Sequence, residues 1–196
     1  MVKLAGIDFE EERVAIDAPG ARAELLLLAP SILVPCLVHK GIRMWDTLAI
    51  GEYLNEIAPE AKLLPTNPVH RAHCRSICGE MHSGFSALRA SLPMNMRARL
   101  KGFKVWSKAQ HDIERIETIW QECLQRYGGP WLFGRHRTLA DAMFAPVASR
   151  FTTYGVALSP AAADYRDRVM AMPEMQTWIA DALAEPDELD ELDMEF

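Results

Sequence analysis

The chain contains no hydrophobic run approaching the roughly 20 residues that a membrane-spanning helix needs, and the longest, ELLLLAPSILVPCLV, is broken by two prolines. Its opening residues, MVKLAGIDFEEE, lack the pattern of a secretory signal. Cysteine is scarce. Cys36, Cys74, Cys78 and Cys123 are scattered over 196 residues and build no dense disulfide framework, which fits reduced thiols and a cytoplasmic location. An excess of base is missing as well. Residues Glu185 to Phe196, EPDELDELDMEF, carry seven of the 27 acids and no base, so 20 acids face 21 bases in the rest and the net charge of -6 belongs to the end. A near-neutral body has no field to steer nucleic acid, and neither nucleic acid nor membrane is expected as a partner. The acidic end, 185–196, is expected to be a solvated, disordered tail or a short interaction motif. No internal repeat is present.

What the sequence does have is a change of period. At 49% hydrophobic and 24% charged it is a soluble globular chain, sized for one large or two small domains. ERVAID (Glu12 to Asp17) and VPCLVH (Val34 to His39) read as strands, with GARAELLLLA as a short helix between them. IRMW (Ile42 to Trp45) reads as a strand paired to the second through a tight Lys40-Gly41 turn. After Trp45, Leu48, Ile50, Tyr53, Leu54 and Ile57 recur at helical spacing. Proline-rich PEAKLLPTNP then marks a linker. The expected organisation is an α/β unit over 1–60, a linker over 61–68 and an all-α unit over 69–184.

In the second unit Ile77, Met81, Phe85 and Leu88 form one apolar stripe, and Ile113, Ile116, Trp120, Cys123 and Tyr127 form another that Gly128-Gly129-Pro130 ends. TLAD (Thr138 to Asp141) is a capping box opening a buried helix with Leu139, Met143, Val147 and Phe151. Ser159-Pro160 and Pro173 start two more helices, placing proline where its missing donor costs little.

Two groups resemble chemistry and are weighed against packing. Cys74, Cys78 and His82 recur every four residues, but eight helical residues span about 12 Å, too far for one zinc ion with bonds near 2.0–2.3 Å. Packing between helices is expected, and no metal. Cys36 follows Pro35 directly and offers a thiol nucleophile, yet strand alternation is expected to turn it into the core.

One feature resists a structural reading. Proline cannot donate to a sheet ladder, yet Pro35 stands inside what otherwise reads as a buried strand. The order strand, helix, VPCL, hairpin, DTLAIGEYL, proline-rich linker and helical domain with TLADAMFAP resembles the cytosolic glutathione S-transferase superfamily, in a bacterial branch, from Met1 to about Leu183. The resemblance implies a truncated thioredoxin-like N-terminal domain followed by a helical-bundle C-terminal domain, α/β plus all-α. It also gives Pro35 a role: a cis peptide bond with Val34 turns the Val34 backbone outward, to pair with the cysteinyl part of glutathione. Thr47, with its amide at the first turn of a helix, would hold the γ-glutamyl carboxylate, where exposed amides and the dipole favour an anion. Asp46 would take the amino group. Simple capping by Asp46 or Thr47 is the competing role, and the two can coexist. In a cleft-facing helix, Met81, Phe85, Met94 and Met96 would line a pocket for an apolar co-substrate, with His82, Arg89 or Arg97 giving polar contacts and Trp106 helping to close it; a methionine stripe of this kind is also ordinary core.

Two departures from the family pattern bear on activity. Ile32-Leu33 stand where a Gly-Lys pair is usual, which removes a charge-assisted contact to the glycyl end worth about 1.5–3 kcal/mol. The start resembles the end of the family's first helix, so the central strand and the loop whose Ser, Tyr or Cys stabilises the glutathione thiolate are expected to be absent. That leaves strand edges to be satisfied by rearrangement, by a partner or by local looseness. The expected function is conjugation of glutathione, as co-substrate, to an electrophilic small molecule by a homodimer. A glutathione-dependent isomerase of the zeta type and a non-catalytic binding or dimerisation protein are the alternatives.

Overall fold

Lys40 and Gly41 adopt φ of 49° and 78°, the left-handed pair that a two-residue hairpin needs to match the twist of its strands. They join β1 (Cys36–His39) to β2 (Ile42–Trp45), antiparallel in the register Cys36 to Trp45, Leu37 to Met44, Val38 to Arg43 and His39 to Ile42. This computed structural model describes residues 1–12, 34–100 and 102–185. The strand expected over Glu12 to Asp17, the helix GARAELLLLA, Ile32-Leu33 and the tail beyond Glu185 lie outside the described residues. The chain divides into a unit of Met1–Leu63 and a second beginning at Leu64.

Period two decides the faces of the hairpin. Leu37 and Met44 pack on the core of Ala5, Ile50, Leu54 and Leu63, while Cys36, Val38, Arg43 and Trp45 take the other face. Cys36, expected in the core, is therefore half-buried on the face away from it. The inward residue is Leu37. α1 (Val2–Ala5) ends at Gly6, whose φ of 67° makes the left-handed cap, and α2 (Thr47–Ile57) buries Ile50, Gly51 and Leu54. A 3-10 turn over Pro59–Ala61 closes the unit.

Six helices follow among the described residues: α3 (Pro68–Ser83), α4 (Ser86–Ser91), α5 (Ser107–Tyr127), α6 (Leu139–Thr153), α7 (Pro160–Met170) and α8 (Pro173–Ala184). The stripe Ile77, Met81, Phe85 and Leu88 is buried throughout, but no single helix carries it. Gly84 is extended at φ -97° and ψ -169°, and a Cβ there would stand 2.6 Å from the Glu80 carbonyl. Phe85 then takes φ 58° before α4 begins. Asp112 of α5 accepts from the Leu88 amide at 2.8 Å and so holds the first turn of α4. α4 stops before Pro93, which disfavours helical backbone at Leu92.

The core of the second unit is aromatic. Trp120 is fully buried, with ring centroids of Tyr165, Phe151 and Phe144 at 4.8, 5.5 and 6.0 Å. Its indole N–H has no hydrogen-bond partner among the described residues. Gly128 ends α5 at φ 76°, and the following Gly129–Pro130 bond is cis. Beside this core lies Asp141, fully buried. Its Oδ1 accepts from the Leu132 amide (3.1 Å) and the Tyr165 hydroxyl (2.9 Å), its Oδ2 from the Thr138 amide (2.7 Å) and hydroxyl (3.1 Å), and the capping box is formed. Burial pushes this carboxyl above the ordinary range, and the hydrogen bonds pull against that.

At the C-terminal end of α5, the His73 ring nitrogen Nδ1 lies 2.7 Å from the Tyr127 hydroxyl, and the His70 and Phe133 rings flank Tyr127 at 4.7 Å. Burial holds the His73 pKa below 6.5, and the Arg126 charge adds to the effect.

Removing the Asp141 carboxylate orphans four buried donors, each worth about 1–3 kcal/mol when stranded. Asp141→Ala is expected to lose roughly 3 kcal/mol or more of unfolding free energy in urea titration. For His73, the unfolded chain takes up its proton first on acidification, so the contribution to stability is full above 6.5 and falls as pH drops toward the lowered folded value. Urea titrations at pH 7.5 and 5.5 are expected to show a smaller acid loss in His73→Gln than in the parent; an equal loss places the effect elsewhere.

Candidate functional site

α2 begins immediately after the hairpin, and Asp46 makes the junction. Its φ of 76° and ψ of 125° are unusual for a residue with a side chain, and conformations of this kind persist where the surroundings fix them. Asp46 Oδ1 accepts from the Leu48 amide at 2.8 Å and the Ala49 amide at 3.2 Å. Capping, one of the two roles open to Asp46 in the sequence, is thus a property of the folded chain. The first helical residue is Thr47, half-buried, at the positive end of an 11-residue helix.

The antiparallel register brings a second main-chain element to the same place. Because Cys36 pairs with Trp45, the positions one step beyond the ladder are Pro35 on one strand and Asp46 on the other. Val34–Pro35 and Asp46–Thr47 therefore share the end of the hairpin opposite the Lys40-Gly41 turn, on strands about 5 Å apart. The Val34–Pro35 bond is cis, and Val34, 54% exposed, makes no main-chain hydrogen bond to another described residue. One edge here is the cis Val34–Pro35 segment; the other is the opening turn of a helix. His39 Nδ1 stands 2.7 Å from the Tyr53 hydroxyl and ties β1 to α2.

Of the residues expected to form a co-substrate pocket, Met81 and His82 end α3, while Phe85 and Arg89 follow the break at Gly84. Met81 and Phe85 are core side chains, 4% and 7% exposed. Arg89 Nη2 turns back to donate to the Met81 carbonyl at 2.5 Å and the His82 carbonyl at 3.2 Å, so its side chain meets the end of α3. Trp106 precedes α5 and is 73% exposed. Cys74, Cys78 and Cys123 are fully buried, and burial, with Cys74 next to it, pushes the Cys123 thiol up to about 12.

Comparison with known proteins identifies both units. A glutathione S-transferase N-terminal domain family matches residues 1–57, and a glutathione S-transferase C-terminal domain family matches residues 78–181. The chain belongs to the glutathione S-transferase family. Its architecture is the family's thioredoxin-like domain followed by a helical one. Among relatives, it is 31% identical over 160 residues to a maleylacetoacetate isomerase of Rattus norvegicus and 29% identical over 158 residues to a probable maleylacetoacetate isomerase of Caenorhabditis elegans. Each alignment covers 80% of this chain and 73% of the relative. A glutathione transferase homolog from Burkholderia GL BGR1, solved with bound glutathione, is 26% identical with a TM-score of 0.68, covering 94% of this chain and 88% of that one. A glutathione S-transferase from Rhodospirillum rubrum, 21% identical with a TM-score of 0.69 over 98% of this chain and 90% of its own, shares the fold. Among the described residues of this family member, no helix is long and apolar enough to cross a membrane.

The thiols give a direct check on these placements. In the native protein Ellman's reagent is expected to titrate one cysteine, Cys36, and after unfolding all four. Native modification of Cys74, Cys78 or Cys123, located by peptide mapping, would contradict their burial.

Proposed function

We propose that the chain is a glutathione transferase, binding the tripeptide along the end of the hairpin where Val34–Pro35 and Asp46–Thr47 lie together. The observation that carries this reading is the register: Cys36 opposite Trp45 aligns the Val34–Pro35 segment with the first turn of α2. An extended tripeptide bearing a carboxylate has the matching chemistry. Its cysteinyl peptide group pairs with the Val34 main chain, and its γ-glutamyl carboxylate lies at the Thr47 hydroxyl and the opening amides of α2. Asp46, fixed by the Leu48 and Ala49 amides, is placed to accept from the ammonium group. So held, the glutathione sulfur attacks as thiolate on an electrophilic carbon, forming a C–S bond as the leaving group departs with its electron pair. The relative solved with bound glutathione supports the ligand, and the family supports a homodimer.

A second reading is favoured by the relatives at 29–31% identity, a probable maleylacetoacetate isomerase and a maleylacetoacetate isomerase. There glutathione acts as a true cofactor in a cis-trans change, at the same binding site.

Calorimetric titration with glutathione tests the site. Thr47→Ala is expected to weaken binding roughly 10- to 100-fold, the equivalent of about 1.5–3 kcal/mol for a hydrogen bond to a charged group, with Thr47→Ser close to the parent. Turnover of chlorodinitrobenzene should fall in parallel; isomerisation of maleylacetoacetate without conjugation selects the second reading, and binding without either turnover makes the chain a carrier. Affinity unaltered in Thr47→Ala refutes the assignment.

A further inference from the structure

Between α3 and the C-terminal half of α5 lies an open depression of about 400 Å³, lined by His73, Glu122, Gln125 and Arg126. That volume falls within the range of about 300–1,000 Å³ in which small-molecule sites are found. Aromatic rings stand beside it. Tyr127, held at its hydroxyl by His73, has the Phe133 ring 4.7 Å away, and Phe133 stands edge-on to His73 at 5.7 Å. Unlike the rings around Trp120, all three are only half-buried and keep a face toward solvent.

The charges of the lining are arranged in an unusual way. Glu122 and Arg126 are four residues apart on one helix, acid first, which is the order in which an exposed pair closes most readily. Here the pair stays open. Among the described residues neither side chain has an ion-pair partner, and neither makes a side-chain hydrogen bond. Tyr127 offers the cation another partner: the Arg126 guanidinium carbon lies 5.6 Å from the ring centroid, within the range of cation–π attraction. Toward the start of α5, where no such ring intervenes, Arg115 does pair with Glu80 of α3 at 2.7 Å. His73 does not serve Glu122 either. Burial, and next the Arg126 charge, hold its pKa below 6.5, so it is neutral at pH 7; its Nδ1 is used by Tyr127, and Nε2 has no partner among the described residues. The dipole of α5 favours Arg126 in the last turn. It does not explain an acid and a base that share one depression without meeting.

We propose that this depression binds a free α-amino acid with an apolar side chain, its ammonium group on Glu122, its carboxylate on Arg126 and its side chain against Tyr127 and Phe133. Residues four apart on a helix have Cβ atoms about 5–6 Å apart, which matches the short separation of the two charges in such a molecule. A singly charged ligand would leave one of the two residues as it is now. The Gln125 amide and His73 Nε2 add polar contacts to the carboxylate end. Because Glu122 and Arg126 are exposed, water competes for both, and a Kd on the order of 1 mM is expected. The site lies wholly in the second unit and does not rest on the glutathione reading.

Isothermal titration of the full chain at pH 7.0, free of glutathione, uses leucine, N-acetylleucine and leucinamide as probes. Leucine is expected to saturate, and the two derivatives, each lacking one of its charges, to bind at least about tenfold more weakly. Glu122→Gln and Arg126→Gln, both at exposed positions of α5, are each expected to weaken leucine binding at least about fivefold with the far-UV helix signal unchanged. Absence of saturation by leucine, a derivative that binds as tightly as leucine, or leucine affinity unchanged in either variant would overturn the proposal. Leucine binding lost in Thr47→Ala and kept in both α5 variants would likewise overturn it, by placing the amino acid at the start of α2.

Discussion

One carboxylate organises the helical unit. Asp141 gathers donors from three places that are distant along the chain or outside regular structure: the Leu132 amide from the irregular stretch after α5, the amide and hydroxyl of Thr138 at the start of α6, and the Tyr165 hydroxyl of α7. A buried charge without a counterion is tolerated only when its lone pairs are filled, and here two oxygens receive four bonds. The arrangement fixes where α6 begins. It also holds Tyr165 against Trp120, and so the packing of α5, α6 and α7 follows from the same group. The last turn of α6, with Arg150, Thr153 and Tyr154, inherits its position from that start, since a helix of 15 residues transmits orientation along its length.

In the first unit the equivalent constraint is register. A slip of one residue between β1 and β2 would turn Leu37 and Met44 to the outer face and remove them from the core of Ala5, Ile50, Leu54 and Leu63. Burial therefore selects the pairing, and the Lys40-Gly41 turn reinforces it. The pairing in turn places Pro35 beside Asp46. The candidate site is a by-product of how the hairpin buries its inner face, which is why its chemistry is largely main-chain. Asp46 illustrates the coupling: the same carboxylate caps α2 and stands at the edge of the site, so the positive φ at this residue joins a strand to a helix and exposes the helix start in a single step.

Much of this was legible in the sequence where local rules act alone. Lys40-Gly41, the capping box at Thr138, the prolines opening α7 and α8 and Gly128 closing α5 are short-range signals whose physics needs no partner. Periodicity also found the buried positions of the second unit, yet it read through the break at Gly84. Phe85 in the left-handed region still points a ring into the core, so the apolar spacing survives although the helix does not. The direction of Cys36 failed for the opposite reason. Alternation fixes which residues share a face but not which face is inward, and that was decided by Leu37 and Met44 meeting α2. Arg150 gave no sign at all. On a helix as buried as α6, a lone arginine reads as a surface position, and its long-range anchor, the Leu92 carbonyl, belongs to no pattern in the chain.

Helix ends of opposite polarity are used differently in the two units, and the difference is chemical. The start of α2 presents amides, so an anion there is attracted by the backbone itself and needs few charged side chains. The ends of α3 and α4 present carbonyls, which draw cations, and Arg89 and Arg150 arrive from different elements to satisfy them. Each arrival is favourable taken singly, because a guanidinium brings several donors to carbonyls that the helix leaves unfilled. In both units, then, the backbone sets the local polarity, and the side chains that meet it follow from that.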